Sequence, residues 1–199
     1  MPQSIAVIIP TCNRSHTLRR ALDSVNNQTV RPSEICVVDD GSTDETEQLL
    51  SRHYPQVNYV YQNNAGVSSA RNAGVALTRG HWLAFLDSDD EWMPNKLERQ
   101  LQEINGNNTF PLVHCDEIWI RNGVRVNAMH KHQKAGGEIF ERCLPLCVIS
   151  PSAVMIKRRL FEEVGGFDES LPACEDYDLW LRICSRHPVL YIEEALLRK

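Results

Sequence analysis

The chain has 199 residues, of which 42% are hydrophobic and 24% charged, and its formal net charge is −5. This composition fills one soluble domain of generous size and argues against a nucleic-acid binder, which carries a basic face. The seven cysteines are odd in number and contain no CxxC pair, which disfavours zinc and thioredoxin-like chemistry and points to a reducing, cytoplasmic compartment.

Residues 5–9 (IAVII) form a continuous apolar run, the mark of a strand buried on both faces. The run is too short for a leader peptide and lacks its cationic start, so none is expected. It ends in Pro10-Thr11-Cys12-Asn13-Arg14. Ser15 suits the N-cap of a helix carrying Leu18, Leu22 and Val25 at helical spacing. Residues 35–38 are a second buried strand, ending in the polar stretch 39–45. Ser42 with Glu45 three residues on fits a capping box for a helix through Leu49 and Leu50. A third strand is expected at 57–61, a helix at 67–78 and a fourth strand at 82–86.

Repeated strand–helix alternation implies a mostly parallel sheet with helices on both faces. Ligands bind such sheets beyond the carboxyl ends of the strands. Pro10-Thr11, Asp39-Asp40 and Asp87–Asp89 each stand at such an end and should converge. The second half is less regular. A helix is expected at 94–104, and strands at 113–120 and 124–126 flank Asn122-Gly123, a strong hairpin signal. Residues 130–137 read as a polar loop, with His130 and His132 facing solvent. A strand at 153–156, a helix at 159–164 stopped by Gly165-Gly166, a helix at 175–186 and a strand at 189–192 complete the reading. The helix at 175–186 presents Tyr177, Trp180, Leu181 and Cys184 on one face. The second half is thus expected as an antiparallel addition, with no linker. One domain is expected, in two halves at 1–104 and 105–199.

The acids at 87, 89 and 90 pose a physical problem. Like charges at the end of a buried strand repel, and a divalent cation shared with a ligand's phosphates relieves this. The plain alternative is a solvated turn in which Asp90 caps the next helix.

Five stretches occur in order: VIIPTCNR at 7–14, VDDGSTD at 38–44, NAGVSSARNAG at 64–74, LDSDD at 86–90 and EDYD at 175–178. Together, over residues 4–192, they resemble the family 2 glycosyltransferases, inverting enzymes of the GT-A fold. The resemblance implies an α/β, GT-A-like three-layer sandwich. It implies that Asp87-Ser88-Asp89 is the DxD motif. Asp89 would bind Mn2+ or Mg2+, Asp87 would share the metal or face the ribose, and Ser88 would belong to the substrate-binding set. Asp40 would accept from the N3–H of a uracil, a task suited to an acceptor-only carboxylate. Pro10 and Thr11 would lie against the base, and Arg71 would meet a phosphate or a neighbouring carboxylate. The family often has an aromatic where Cys12 stands. Asp176 would be the general base, opposite the leaving group.

The implied activity moves a sugar from a nucleotide donor, a UDP-sugar, to a saccharide or lipid-linked saccharide acceptor. Such an acceptor would bring the protein to the inner face of a membrane as a peripheral partner. Trp92 and Trp180 are candidates to stack on a sugar, with core packing favoured for Trp180. The family often carries a histidine metal ligand beyond the catalytic acid. Only His187 follows Asp176 here, so a C-terminal segment bearing that ligand is expected to be missing. Two rivals are a sugar-nucleotide nucleotidyltransferase, disfavoured because residues 10–15 lack glycine, and a non-catalytic nucleotide- or glycan-binding module.

Overall fold

The computed structural model describes residues 4–107, 109–126 and 132–199. His130, expected in a polar loop, lies outside them. Strand β1 (Ile5–Thr11) pairs in parallel with β2 (Glu34–Asp40) and β4 (Trp82–Phe85), and β2 pairs in parallel with β3 (Asn58–Gln62). Strands β1 and β4 are apolar up to Thr11 and through Phe85, and β2 is apolar from Ile35 to Val38 before Asp39 and Asp40. Helices α1 (Ser15–Asn26) and α2 (Thr46–His53) cover one face of the sheet, and α3 (Val67–Ala76) covers the other. Gly74 lets α3 sit on β1 and β2, since a Cβ there would lie 2.5 Å from Ile8 Cγ2.

The sheet continues through β8 (Met155–Lys157), β6 (Leu112–Arg121), β9 (Leu190–Arg198) and β5 (Glu91–Trp92). Strand β8 runs antiparallel to β4 and β6, and β7 (Val124–Val126) makes the expected hairpin with β6. Asn122 and Gly123 both take positive φ, 53° and 76°, as a tight hairpin requires. Strand β9 runs parallel to β6, with register shifts around Asp116, so the C-terminal addition is mixed in direction. Helix α4 (Lys96–Gly106) packs on the α1 face. Helices α5 (Phe140–Cys143), α6 (Arg158–Glu163) and α7 (Glu175–Cys184) pack on the α3 face. The three layers of the expected α/β sandwich result. Cys36 and Cys184 are buried thiols, as their apolar surroundings suggested.

Several local expectations are corrected. Ser15 is the first helical residue of α1 and makes no side-chain cap; the Asp44 carboxylate takes its N–H instead, at 2.9 Å. There is no capping box at Ser42 and Glu45, because Asp44 also accepts from the Thr46 N–H at 3.1 Å. Asp90 caps no helix: β5 follows it, and α4 starts six residues later. His132 is half-buried, with its ring against Trp119 (centroids 5.0 Å), rather than free in solvent. On α7, Leu179 and Ile183 join Trp180 and Cys184 in the core, while Tyr177 and Leu181 are half-buried.

Candidate active site

The polar ends of β1, β2 and β4 meet at one sheet edge, as the alternation required. Pro10, Thr11, Cys12, Arg14, Asp40, Arg71, Asp87, Ser88, Asp89 and Glu175 are among the residues around a cavity of about 360 Å³. The loop after β1, which brings Cys12 and Arg14 to the cavity, is strapped to the loop after β2. The Asn13 N–H donates to Ser42 Oγ at 2.8 Å, and the Thr43 N–H donates to Asn13 Oδ1 at 2.8 Å. Asn13 holds a positive φ of 52° to make both contacts. Asp39 is structural: it accepts from the Ser42 N–H and the Tyr59 hydroxyl.

Asp40 is buried and accepts three hydrogen bonds, from Gln62 Nε2 (2.8 Å), the Ala65 N–H (2.8 Å) and the Gly66 N–H (2.9 Å). A carboxylate has about four lone-pair positions, so roughly one is left for a ligand. The Thr11 hydroxyl is buried, on a residue that lines the cavity, with no hydrogen-bond partner among the described residues. A buried polar atom in that state costs on the order of 1–3 kcal/mol until something binds it.

Arg71 joins the two halves of the site. Its side chain is 4% exposed, and its fork spans two carboxylates: Nη2 to Asp87 Oδ1 and Nη1 to Glu175 Oε1, both at 2.7 Å. Its guanidinium also lies over the Phe167 ring, 5.0 Å from the centroid. Burial works against the charge, but Asp87 and Glu175 outweigh it and hold the pKa above the ordinary arginine value. Of the two partners expected for Arg71, it therefore takes carboxylates, and two of them.

Asp89 is half-exposed, with Arg14 Nη1 3.8 Å away and its backbone carbonyl held by Arg20 Nη2 at 2.6 Å. Asp176, in the first turn of α7, does not line the cavity; its neighbour Glu175 does. Its Oδ1 accepts from the Tyr177 N–H at 2.8 Å, and the Cys147 thiol approaches Oδ2 at 3.9 Å. Burial raises its pKa above the ordinary carboxylate range, with the Tyr177 N–H and Arg71 pulling the other way. Arg71 and Asp87 thus stand close enough for their charges to act on Asp176.

The sequence model described as glycosyl transferase family 2 matches residues 6–165. The chain belongs to that family. An uncharacterized glycosyltransferase of Rickettsia prowazekii is 33% identical over 98% of this chain and 63% of its own length. A chondroitin synthase of Escherichia coli is 31% identical over 96% of this chain and 28% of its own length. The chain therefore spans less than two thirds of these curated relatives. Among solved structures, S. aureus TarS 1-349 in complex with UDP-GlcNAc superposes with a TM-score of 0.80, at 20% identity, over 98% of this chain and 58% of that one. At that identity the likeness establishes the fold.

Among the described residues of this family 2 glycosyltransferase, no three His, Cys, Asp or Glu side chains gather as a metal site. The hard oxygen donors present are Asp89 and the Asp87 carboxylate. This set fits a cation that takes one or two carboxylates and completes its shell with phosphate oxygens. His187 lies beyond the far end of α7 from Asp176, roughly 15 Å along the helix axis. Trp92 is buried and spends its N–H on the Ser152 carbonyl at 2.8 Å, so neither it nor buried Trp180 stacks on a sugar. No helix among the described residues is long and apolar enough to cross a membrane.

Three residues of the site carried no signal in the sequence. Ser152 is fully buried, and its hydroxyl accepts the Asp87 N–H at 3.0 Å. Cys147 meets Asp176, and Lys199 bears electrostatically on Asp90, Glu117, Asp87 and Asp176. Only a hydroxyl, a thiol and a lysine at unremarkable spacings mark them.

Proposed function

We propose that this domain transfers a sugar, with inversion, from a UDP-sugar to a hydroxyl of a growing surface glycan or lipid-linked saccharide. The observation that carries the reading is the Arg71 fork, which ties Asp87 of the acid motif to Glu175 beside Asp176. Nucleotide-facing acids and a candidate base thereby share one anchor. Glu175 is spent on that anchor, which leaves Asp176 as the carboxylate able to take a proton. Asp176 would accept the proton of the acceptor hydroxyl as its oxygen bonds to the anomeric carbon. The bond from that carbon to the diphosphate breaks on the opposite face, and the nucleoside diphosphate leaves with the electron pair. Asp89 and Asp87 would hold a Mn2+ or Mg2+ ion, whose contribution is Lewis-acid stabilisation of that leaving group. The roughly one free position on Asp40 suits a uracil N3–H, with Pro10 and Thr11 against the base. Relatives named chondroitin synthase and hyaluronan synthase, and TarS complexes with UDP and UDP-GlcNAc, support this choice of donor and product class.

Ligand-induced stabilisation tests the reading. UDP should raise the melting temperature more with Mn2+ than with EDTA, because a ligand that binds only the folded state stabilises it by mass action. Asp89→Ala should erase the difference, and an unchanged metal effect would remove Asp89 from the site. Calorimetry should rank UDP above GDP and ADP; equal affinities would detach Asp40 from base selection.

A further inference from the structure

We propose that Cys12 is a modification site at which thiol–disulfide exchange with a small disulfide closes the nucleotide cavity; this rests on the nucleotide reading of that cavity. Cys12 ends the β1 edge immediately after Thr11, and its half-buried side chain lines the cavity wall. Two side-chain amides converge on its sulfur, Asn64 Nδ2 at 3.7 Å and Asn13 Nδ2 at 3.9 Å. Both amides are fixed elsewhere: Asn64 Nδ2 also donates to the Asp40 carbonyl at 2.8 Å, and Asn13 straps the loops after β1 and β2. The sulfur is therefore held at the wall rather than swinging free.

Independent marks of a ligand surround it. The Thr11 hydroxyl and Arg71 Nε are both buried, both without a hydrogen-bond partner, and both on residues lining the same cavity. Both residues border a space of about 360 Å³, and a buried polar atom left unpaired is the exception that calls for a partner. A group attached to Cys12 would occupy the place where a nucleobase enters.

Other thiols are poorly placed for this. Cys36, Cys115, Cys143 and Cys184 are buried in the core, and half-buried Cys147 sits against Asp176. Cys174 is exposed but does not line the cavity. The exchange itself is balanced. The Cys12 thiolate attacks one sulfur of the disulfide, a new S–S bond forms, the old S–S bond breaks, and the departing thiolate takes the electron pair. The proton released by Cys12 passes to solvent or to that thiolate.

The probe is glutathione disulfide, with UDP binding read by calorimetry and the modified cysteines located by peptide mass mapping. UDP binding to untreated protein is measured first; its absence there overturns the nucleotide reading of the cavity and this inference with it. Where UDP binds, treatment should add one glutathionyl group at Cys12, abolish UDP binding and be reversed by dithiothreitol. Saturating UDP should slow modification of Cys12 and leave that of Cys174 unchanged. Cys12→Ser should show the same UDP affinity before and after treatment. Cys12 left unmodified while Cys174 reacts would overturn the inference alone, as would undiminished UDP binding to protein modified at Cys12.

Discussion

At the end of β2 and in the loop before α2, carboxylates accept from backbone N–H groups. Asp39 takes the Ser42 N–H, Asp40 those of Ala65 and Gly66, and Asp44 those of Ser15 and Thr46. Three carboxylates on the mixed side are held by cations instead: Glu175 by Arg71, Glu117 by Lys134 at 3.1 Å, and Asp178 by Arg182 at 2.7 Å. A backbone donor comes with any chain that follows the loop, so that side needs turn-forming residues and acids close by. A cationic partner must be a particular side chain delivered by the fold. The loops after β1, β2 and β3 are thus tied together by main-chain donors, while Glu175 at the start of α7 is tied to a guanidinium 104 residues away in sequence.

The contrast predicts where each substitution bites. Asp176→Asn should produce the largest effect, a fall in turnover of about 10²–10⁴, the usual contribution of a general base. Donor affinity should barely change, because Asp176 does not line the cavity at the strand ends. Steady-state kinetics paired with UDP titration separates the two; loss of UDP binding in a folded variant would move Asp176 to the donor side and break the contrast.

Arg71→Met should come next. It leaves Asp87 and Glu175 without their shared partner in a dry setting, which costs about 3–5 kcal/mol when a buried pair loses one member. Urea unfolding reads this directly. A loss below about 1 kcal/mol would show that α7 is held by its apolar face instead.

His114 sharpens the picture on the mixed side through pH. It is fully buried on β6, with Nε2 donating to the Ala135 carbonyl at 2.8 Å. Burial, then the nearby Lys134, pushes its pKa down to about 3. The unfolded chain takes up a proton below about pH 6.5 and the folded one does not, so stability falls as the pH drops from there. The loss should be about 1.4 kcal/mol per pH unit, or roughly 2 kcal/mol by pH 5. His114→Gln should flatten that part of the urea midpoint against pH, and a slope unchanged in the variant would assign it to other groups.

Asp44→Ala should be the mildest. One carboxylate caps α1 and α2 together, and an N-cap contributes about 0.5–2 kcal/mol. A loss near 1–2 kcal/mol in urea unfolding, with UDP affinity weakened because the loop bearing Cys12 and Arg14 loosens, would confirm that main-chain contacts to carboxylates build that side. Unchanged UDP affinity would show the loops to be held by the Asn13 strap alone.

Much of the site could be read in the chain itself. All-apolar runs at 5–9 and 35–38 can only be strands covered on both faces, and alternation with helices fixes their shared direction. That sends Pro10, Thr11, Asp40 and the acids at 87–89 to one edge whatever the details. Asn122-Gly123 forces its hairpin because both residues tolerate positive φ. The misreadings share a cause. Ser15, Ser42 and Glu45 have good capping chemistry, yet Asp44 served both helices, from 29 positions away for α1 and from two positions before Thr46 for α2. Asp90 has capping chemistry too, and tertiary packing buried it.

By itself, then, the sequence determined the parallel half-sheet, the edge at which its ligands gather and the family to which it belongs, because those depend on periodicity and on motifs read within a dozen residues. Only the tertiary structure decided that β9 runs parallel to β6, that Arg71 grips Glu175 as well as Asp87, and that Cys147 and Ser152 back the acids. The contacts Cys147–Asp176, Ser152–Asp87 and Arg71–Glu175 join residues 29, 65 and 104 positions apart, and the β6–β9 pairing depends on strand direction. No local propensity encodes either, since both follow from which surfaces remain to be buried once the parallel half has formed.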